Sequence, residues 1–189
     1  MRNVRQFSLQ PAFLALLLVA GCASPKKPSP TQPNSQSASH AHALLFDLLG
    51  DEKDVSKLLI IKRERPELGA LIKQISRVSG DAYKRLDAYG KADPGLNLKD
   101  LGLPSGEIET REAIAKTKSK ALLAKKGKEF ELQLLLSQSE ALTYGAHLAR
   151  IIAPRETNPA RAKFFQDLAS ELTELQHRVF EMLFSHYSL

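Results

Sequence analysis

Apolar residues spaced three and four apart, repeated from residue 41 to residue 184, are the strongest constraint this chain carries. The pattern is clearest near the C-terminus. Phe164, Phe165, Leu168, Leu172, Leu175, Val179, Met182 and Leu183 share one side of an α-helix, with Lys163, Asp167, Ser170, Glu174, His177 and Glu181 on the other. Such a stripe can be buried only by packing helices against one another. Strict alternation, the mark of a half-buried strand, is scarce.

The punctuation divides the repeat into five segments. The first spans about 41–63, with an irregularity expected at Gly50; Leu44, Leu45, Leu48, Leu49, Val55, Leu58 and Leu59 are its core candidates. Pro66 suits the first turn of a second helix, which runs to about Tyr89 and carries Leu68, Leu71, Ile72, Ile75, Val78 and Leu86. Asp93-Pro94-Gly95 and Pro104 mark a loop over 90–105. Ser105 is the expected N-cap of a third segment. Helical character then continues to residue 153, and an unbroken rod of that length would measure roughly 70 Å. A break is therefore expected at Lys125-Lys126-Gly127-Lys128. The fourth helix starts near Lys128 with Phe130, Leu134, Ala141, Leu148 and Ile152 on one face, Gln138 and Gly145 between them. Asn158-Pro159 opens the fifth. Long helices joined by short loops predict an all-α, antiparallel four-helix bundle with one extra short helical segment lying across an end or side.

The first forty residues are of another kind. Arg2 and Arg5 precede a continuous apolar run, Ala12 to Ala20. That run is about half of the roughly 20 residues a spanning helix needs, so it reads as the core of an export signal. Val19-Ala20-Gly21-Cys22 closes the run and resembles the lipobox of bacterial lipoproteins. The resemblance implies cleavage before Cys22 and lipidation of its sulfur, with attachment to a membrane through two or three acyl chains. Ala23, where an Asp would favour retention, implies an outer-membrane destination facing the periplasm. Cys22 is the only cysteine, so no internal disulfide can form. Residues 23–40 are rich in Pro, Ser, Gln and Asn and read as a flexible tether. The expected organisation is a signal peptide over 1–21, the lipidated cysteine and tether over 22–40, and a helical domain over 41–189.

Ile75-Ser76-Arg77-Val78, Leu101-Gly102-Leu103-Pro104, Gly127-Lys128-Glu129-Phe130-Glu131 and Leu172-x-x-Leu175 occur in an order that resembles a ferritin-like family of exported bacterial proteins, a domain of unknown function. The resemblance covers most of the segment from Ala41 to Phe184 and implies a ferritin-like up-and-down bundle. The family's metal-capable histidine positions fall here on Ala82, Leu142 and Arg178, none of which ligates iron.

No catalytic constellation emerges from the sequence, and no cofactor is expected. Glu174 and His177 form a Glu-x-x-His, but both lie off the apolar stripe and no second such motif exists. His40, His42, His147 and His186 form no ligand pair at helical spacing; His40 and His42 sit at the tether end, where adventitious copper or nickel binding would not be evidence of function. There is no Gly-rich phosphate loop and no Gly-x-Ser-x-Gly. Lys116, Lys118, Lys120, Lys125, Lys126 and Lys128 read first as a solvated helix end, and otherwise as a contact for an anionic surface. The chain has 27 basic and 21 acidic residues, a mild excess that does not call for nucleic acid. The expected role is therefore non-enzymatic: a membrane-tethered bundle binding an envelope protein or an anionic surface, or contributing structurally. A ferritin-like metal protein using Glu64, Glu67, Glu131, Glu140, Glu171 or Glu174 is the alternative, and a carrier of a small apolar ligand is a third.

Overall fold

The computed structural model describes residues 35–62 and 65–186. Their elements are α1 (Ser35–Glu52), a 3-10 turn (Val55–Lys57), α2 (Leu58–Ile61), α3 (Pro66–Ala92), α4 (Ser105–Ala124), α5 (Gly127–Ile152), a second 3-10 turn (Ala153–Arg155) and α6 (Pro159–His186). The signal segment, Cys22, the tether up to residue 34 and Glu64 lie outside the described residues.

Helices α1, α3, α6 and α5 form a four-helix bundle in that order around the core. Contacts along each pair fix the directions. On α1 and α3, Phe46 stacks on Tyr83 with ring centroids 4.2 Å apart, while Ser76 donates to the carbonyl of Lys53. On α3 and α6, Tyr89 meets Phe164 at one end and Gln74 meets Arg178 at the other. On α5 and α6, Arg150 Nη2 donates to Thr173 Oγ1 at 2.6 Å and Gln176 Nε2 donates to Thr143 Oγ1 at 2.6 Å. On α1 and α5, Leu45 and Leu48 reach Gly145 while Glu52 reaches Gln138. Every neighbouring pair is thus antiparallel, and α3 and α5 run the same way. The chain has to travel the length of the bundle between them. α4 makes that journey along the outer side of α5, with Lys118 Nζ 2.5 Å from Glu140 Oε2 and the Arg111 guanidinium 5.9 Å from the Tyr144 ring.

The core is built from the expected stripes. Leu68, Leu71, Ile72, Ile75, Val78 and Leu86 of α3 are buried, as are Phe130, Leu134, Leu148 and Ile152 of α5. On α6 the stripe is buried throughout except Met182, which is partly so. The start of α6 follows its signal: Asn158 Oδ1 accepts from the amides of Ala160 at 2.9 Å and Arg161 at 3.2 Å. The break after α4 falls where expected. Lys125 and Lys126 are extended and Gly127 has φ +53°, a left-handed conformation open to glycine.

Four boundaries differ. α1 starts at Ser35, inside the stretch whose composition suggests a tether, because Ala41, His42 and Ala43 are buried there and draw the preceding turn into the helix. It passes through Gly50, against which the Tyr83 ring lies, and breaks at Lys53 and Asp54 instead. Pro104, not Ser105, stands at the N-cap of α4, and no side chain caps it. α4 itself has 20 residues and is not a short segment. The expected Ala141 is only half-buried, and Leu142 takes its place in the core.

Gly145 of α5 sits under leucines of both α1 and α6. A β-carbon there would stand 3.0 Å from Leu48 Cδ2 and 3.1 Å from Leu172 Cδ1. Gly145→Val is therefore expected to cost about 1–3 kcal/mol through overpacking. At Gly80 the nearest atom would be Lys53 Cβ at 3.6 Å, an ordinary contact. Gly80→Ala is expected to stabilise the fold by roughly 0.5–1 kcal/mol through helix propensity. Denaturant unfolding of the two variants checks both signs.

Candidate functional site

The described residues concentrate their buried polar chemistry at the two ends of the bundle. At the end where α1 and α6 begin, four side chains form a continuous chain. His42 Nε2 lies 2.7 Å from Glu156 Oε1, Arg161 Nε donates to Glu156 Oε2 at 2.7 Å, and Arg161 Nη1 donates to Asp93 Oδ2 at 2.9 Å. The Glu156 carboxylate is 2% exposed, so its charge depends on these partners. Asp93 is held below the usual carboxylate range by the Arg161 guanidinium and by the Gly95 amide. Aromatic rings close the site: His42 meets Phe165 edge-on at 5.2 Å, and Arg161 lies 5.9 Å from the Tyr89 ring.

Local sequence explains the placement. His42, Leu45, Leu49 and Glu52 are three, four and three apart, one stripe of α1 facing the core. Glu156 and Arg161 flank the Asn158-Pro159 start of α6, and Asp93 ends α3. The loop after α3 adds a second tie. His40 Nε2 lies 3.5 Å from Asp100 Oδ2, and Gly102, at φ +65°, passes so close that a β-carbon would stand 2.1 Å from His40 Nδ1.

At the opposite end, Glu131 of α5 is buried and accepts from Arg65, the backbone amide at 3.0 Å and Nε at 2.7 Å. This carboxylate holds the start of α3 against the first turn of α5. Nearby, Gln138 is 1% exposed and its amide bonds Glu52. Glu52 Oε2 and Gln138 Oε1 are both enclosed and lack a hydrogen-bond partner among the described residues. Burial accordingly raises the Glu52 carboxyl to about 7.

The residues singled out from sequence are scattered. Glu174 and His177 are exposed, as are His147, Glu67 and Glu171. Glu140 is exposed and pairs with Lys118. His186 ends α6. His42 is no surface ligand at a tether end; the early start of α1 turns it inward onto Glu156. Ala82 and Leu142 are buried among apolar neighbours, and Arg178 bonds Gln74. Among the described residues, no three or more histidine, cysteine or acidic side chains converge as a metal site. Phe130, Phe165, Leu134, Leu135 and Leu142 are fully buried in the core. Hollows of about 210 Å³ between α3 and α6 and about 440 Å³ beside the loop after α3 open to solvent. The Glu156 chain was not apparent from sequence because His42 and Glu156 lie 114 residues apart; the spacing of His42 with Leu45 and Leu49 was its one local trace.

Comparison with protein-family models, with curated proteins and with solved structures finds no match for this chain.

Two outcomes follow. Glu156→Ala takes an enclosed hydrogen-bond acceptor from both His42 and Arg161 and is expected to cost about 1–3 kcal/mol. Asp167→Ala, which breaks the exposed pair with Lys163, is expected to cost under about 1 kcal/mol in the same denaturation assay. For Glu52 the folded carboxyl titrates at about 7 against an ordinary 4.5. Its contribution to stability is complete below about 4.5 and is lost once pH passes about 7. Glu52→Gln is therefore expected to flatten the pH profile, gaining on the order of 3 kcal/mol over wild type at pH 8 relative to pH 4.

Proposed function

We propose that this protein is a lipid-anchored, non-enzymatic helical bundle of the bacterial cell envelope, held through acylated Cys22 and presenting its bundle to an envelope partner. The observation that carries this reading is Val19-Ala20-Gly21-Cys22 at the end of the apolar run Ala12–Ala20. Ala23 favours the outer membrane, with the bundle in the periplasm. No helix among the described residues is long and apolar enough to cross a membrane, which agrees with a lipid in the anchoring role. The buried polar groups support a structural or binding role, since they tie one helix to another: Glu156 joins α1 to the start of α6, and Glu131 joins α5 to α3. A single long crossover between two parallel helices is also the connectivity of ferritin-like bundles, which supports that resemblance at the level of topology. The metal reading draws less support, because its described carboxylates point to different surfaces or into ion pairs.

Palmitate labelling in a producing bacterium tests the anchor. The expected result is incorporation into the wild-type protein and a membrane-bound fraction. Cys22→Ser is expected to lose the label and to change the processing of residues 1–21. An unlabelled wild type, or a Cys22→Ser variant with unchanged processing and membrane attachment, overturns the proposal.

A further inference from the structure

α1 ends on a carboxylic acid that has no cation beside it. Glu52, its last residue, is enclosed against Gln138 of α5, which is 1% exposed. Glu52 Oε2 lacks a hydrogen-bond partner among the described residues, and no lysine, arginine or histidine among them pairs with this carboxyl. Asp51 of the same helix is the charge that acts on it. The charged groups around it are engaged elsewhere: Lys53 Nζ with the Gly50 carbonyl and the Tyr83 ring of α3, Lys57 with Asp54, Glu131 of α5 with Arg65, and Arg178 of α6 with Gln74 of α3. A carboxylate there would be buried with only the Gln138 amide to offset it, so the site suits the neutral acid. Burial accordingly places its titration at about 7.

The two sides of this seam are held unequally. On α5, Leu134, Leu135, Gln138 and Leu142 are all buried. On the other side α1 ends, the chain breaks at Lys53 and Asp54, and between Asp51 and Ile60 only Val55 is buried. Polar ties hold this segment to α3: Ser76 Oγ donates to the Lys53 carbonyl and bonds Ser56 Oγ at 3.0 Å. Lys62 Nζ, at the surface, donates to the carbonyls of Leu123 and Lys125 and keeps the far end of α2 in place. Water can replace each of these bonds, whereas it cannot replace the packing of the α5 leucines. When the carboxylate forms and must be hydrated, the end of α1 is the side that yields. We propose that residues 50–58 form a pH-operated flap, closed on α3 and α5 while Glu52 is protonated and lifted to admit water when it ionises. Opening uncovers the apolar seam at Leu49 and Val55 above neutral pH, and acid closes it.

Hydrogen exchange of the full chain carrying Cys22→Ser, at pH 5 and pH 8 and corrected for the intrinsic rate, tests the flap. A carboxyl that titrates at about 7 when closed and at 4.5 in water makes opening roughly seventyfold more frequent at pH 8 than at pH 5. Amides of residues 50–58 are expected to be less protected than the core amides of α3 and α6 at both pH values, and to lose protection by that factor. Glu52→Gln is expected to abolish the loss. A second reading needs no change at Glu52: the carbon-13 shift of its carboxyl and the amide shifts of Lys53 to Leu58 are expected to follow one midpoint. Flap amides as well protected as the core would mean that only global unfolding reaches Glu52, and overturn the proposal. So do flap protection that does not change with pH, an equal loss in Glu52→Gln, a carboxyl that titrates in the ordinary range, or amide shifts that do not follow it. Failure of palmitate labelling bears on Cys22 alone and leaves these measurements unaffected.

Discussion

That the successive core helices α3 and α5 run parallel is the constraint from which the rest of the architecture follows. Two parallel neighbours in sequence cannot be joined by a tight turn, so the chain must return along the outside before the second begins. α4 is that return. Because the four core helices already enclose their apolar stripes, a fifth helix arriving on the outer side of α5 finds little left to bury. Its composition reflects this: Ala, Lys, Glu and Thr hold the helix through local pairs such as Glu107 with Arg111, rather than through a stripe.

The ends of the bundle face a different problem. A bundle end exposes helix termini and breaks the apolar stripe, and loops there carry unsatisfied backbone groups. Here charged side chains close both ends. Glu156 gathers His42 and Arg161 at one, and Glu131 gathers the Arg65 amide and guanidinium at the other. Each carboxylate belongs to the α5–α6 hairpin or its connection and reaches a helix from the first half of the chain. Together they fix how the two halves align, a role that geometry-specific buried charges fill better than interchangeable leucines do.

The legible part of this fold was the part written in local spacing. The α3 and α6 stripes, the Asn158 cap and the break before α5 each depend on residues within a few positions of one another. The start of α1 was obscured because Ser, Gln and Ala in 35–41 suit a tether as well as a helix, and only burial at Ala41, His42 and Ala43 decides between them. The course of α4 was hidden for the opposite reason: Ser105 and the break at Lys125 bound it, but a helix with no stripe does not say which neighbour it lies along. The Glu156 cluster required pairing residues from both ends of the domain, which no window of sequence contains. Gln138 already stood among the core-face residues of the fourth helix, but its partner Glu52 reads as surface until α1 and α5 are laid side by side.

The contacts of α1 have a mechanical meaning. A pull along its axis would act on a helix that lies antiparallel to both α3 and α5. To move, α1 would have to slide past two neighbours at once, in shear, instead of peeling away one turn at a time. The His42–Glu156 contact stands against that sliding near one end, and the leucines packed over Gly145 stand against it farther along.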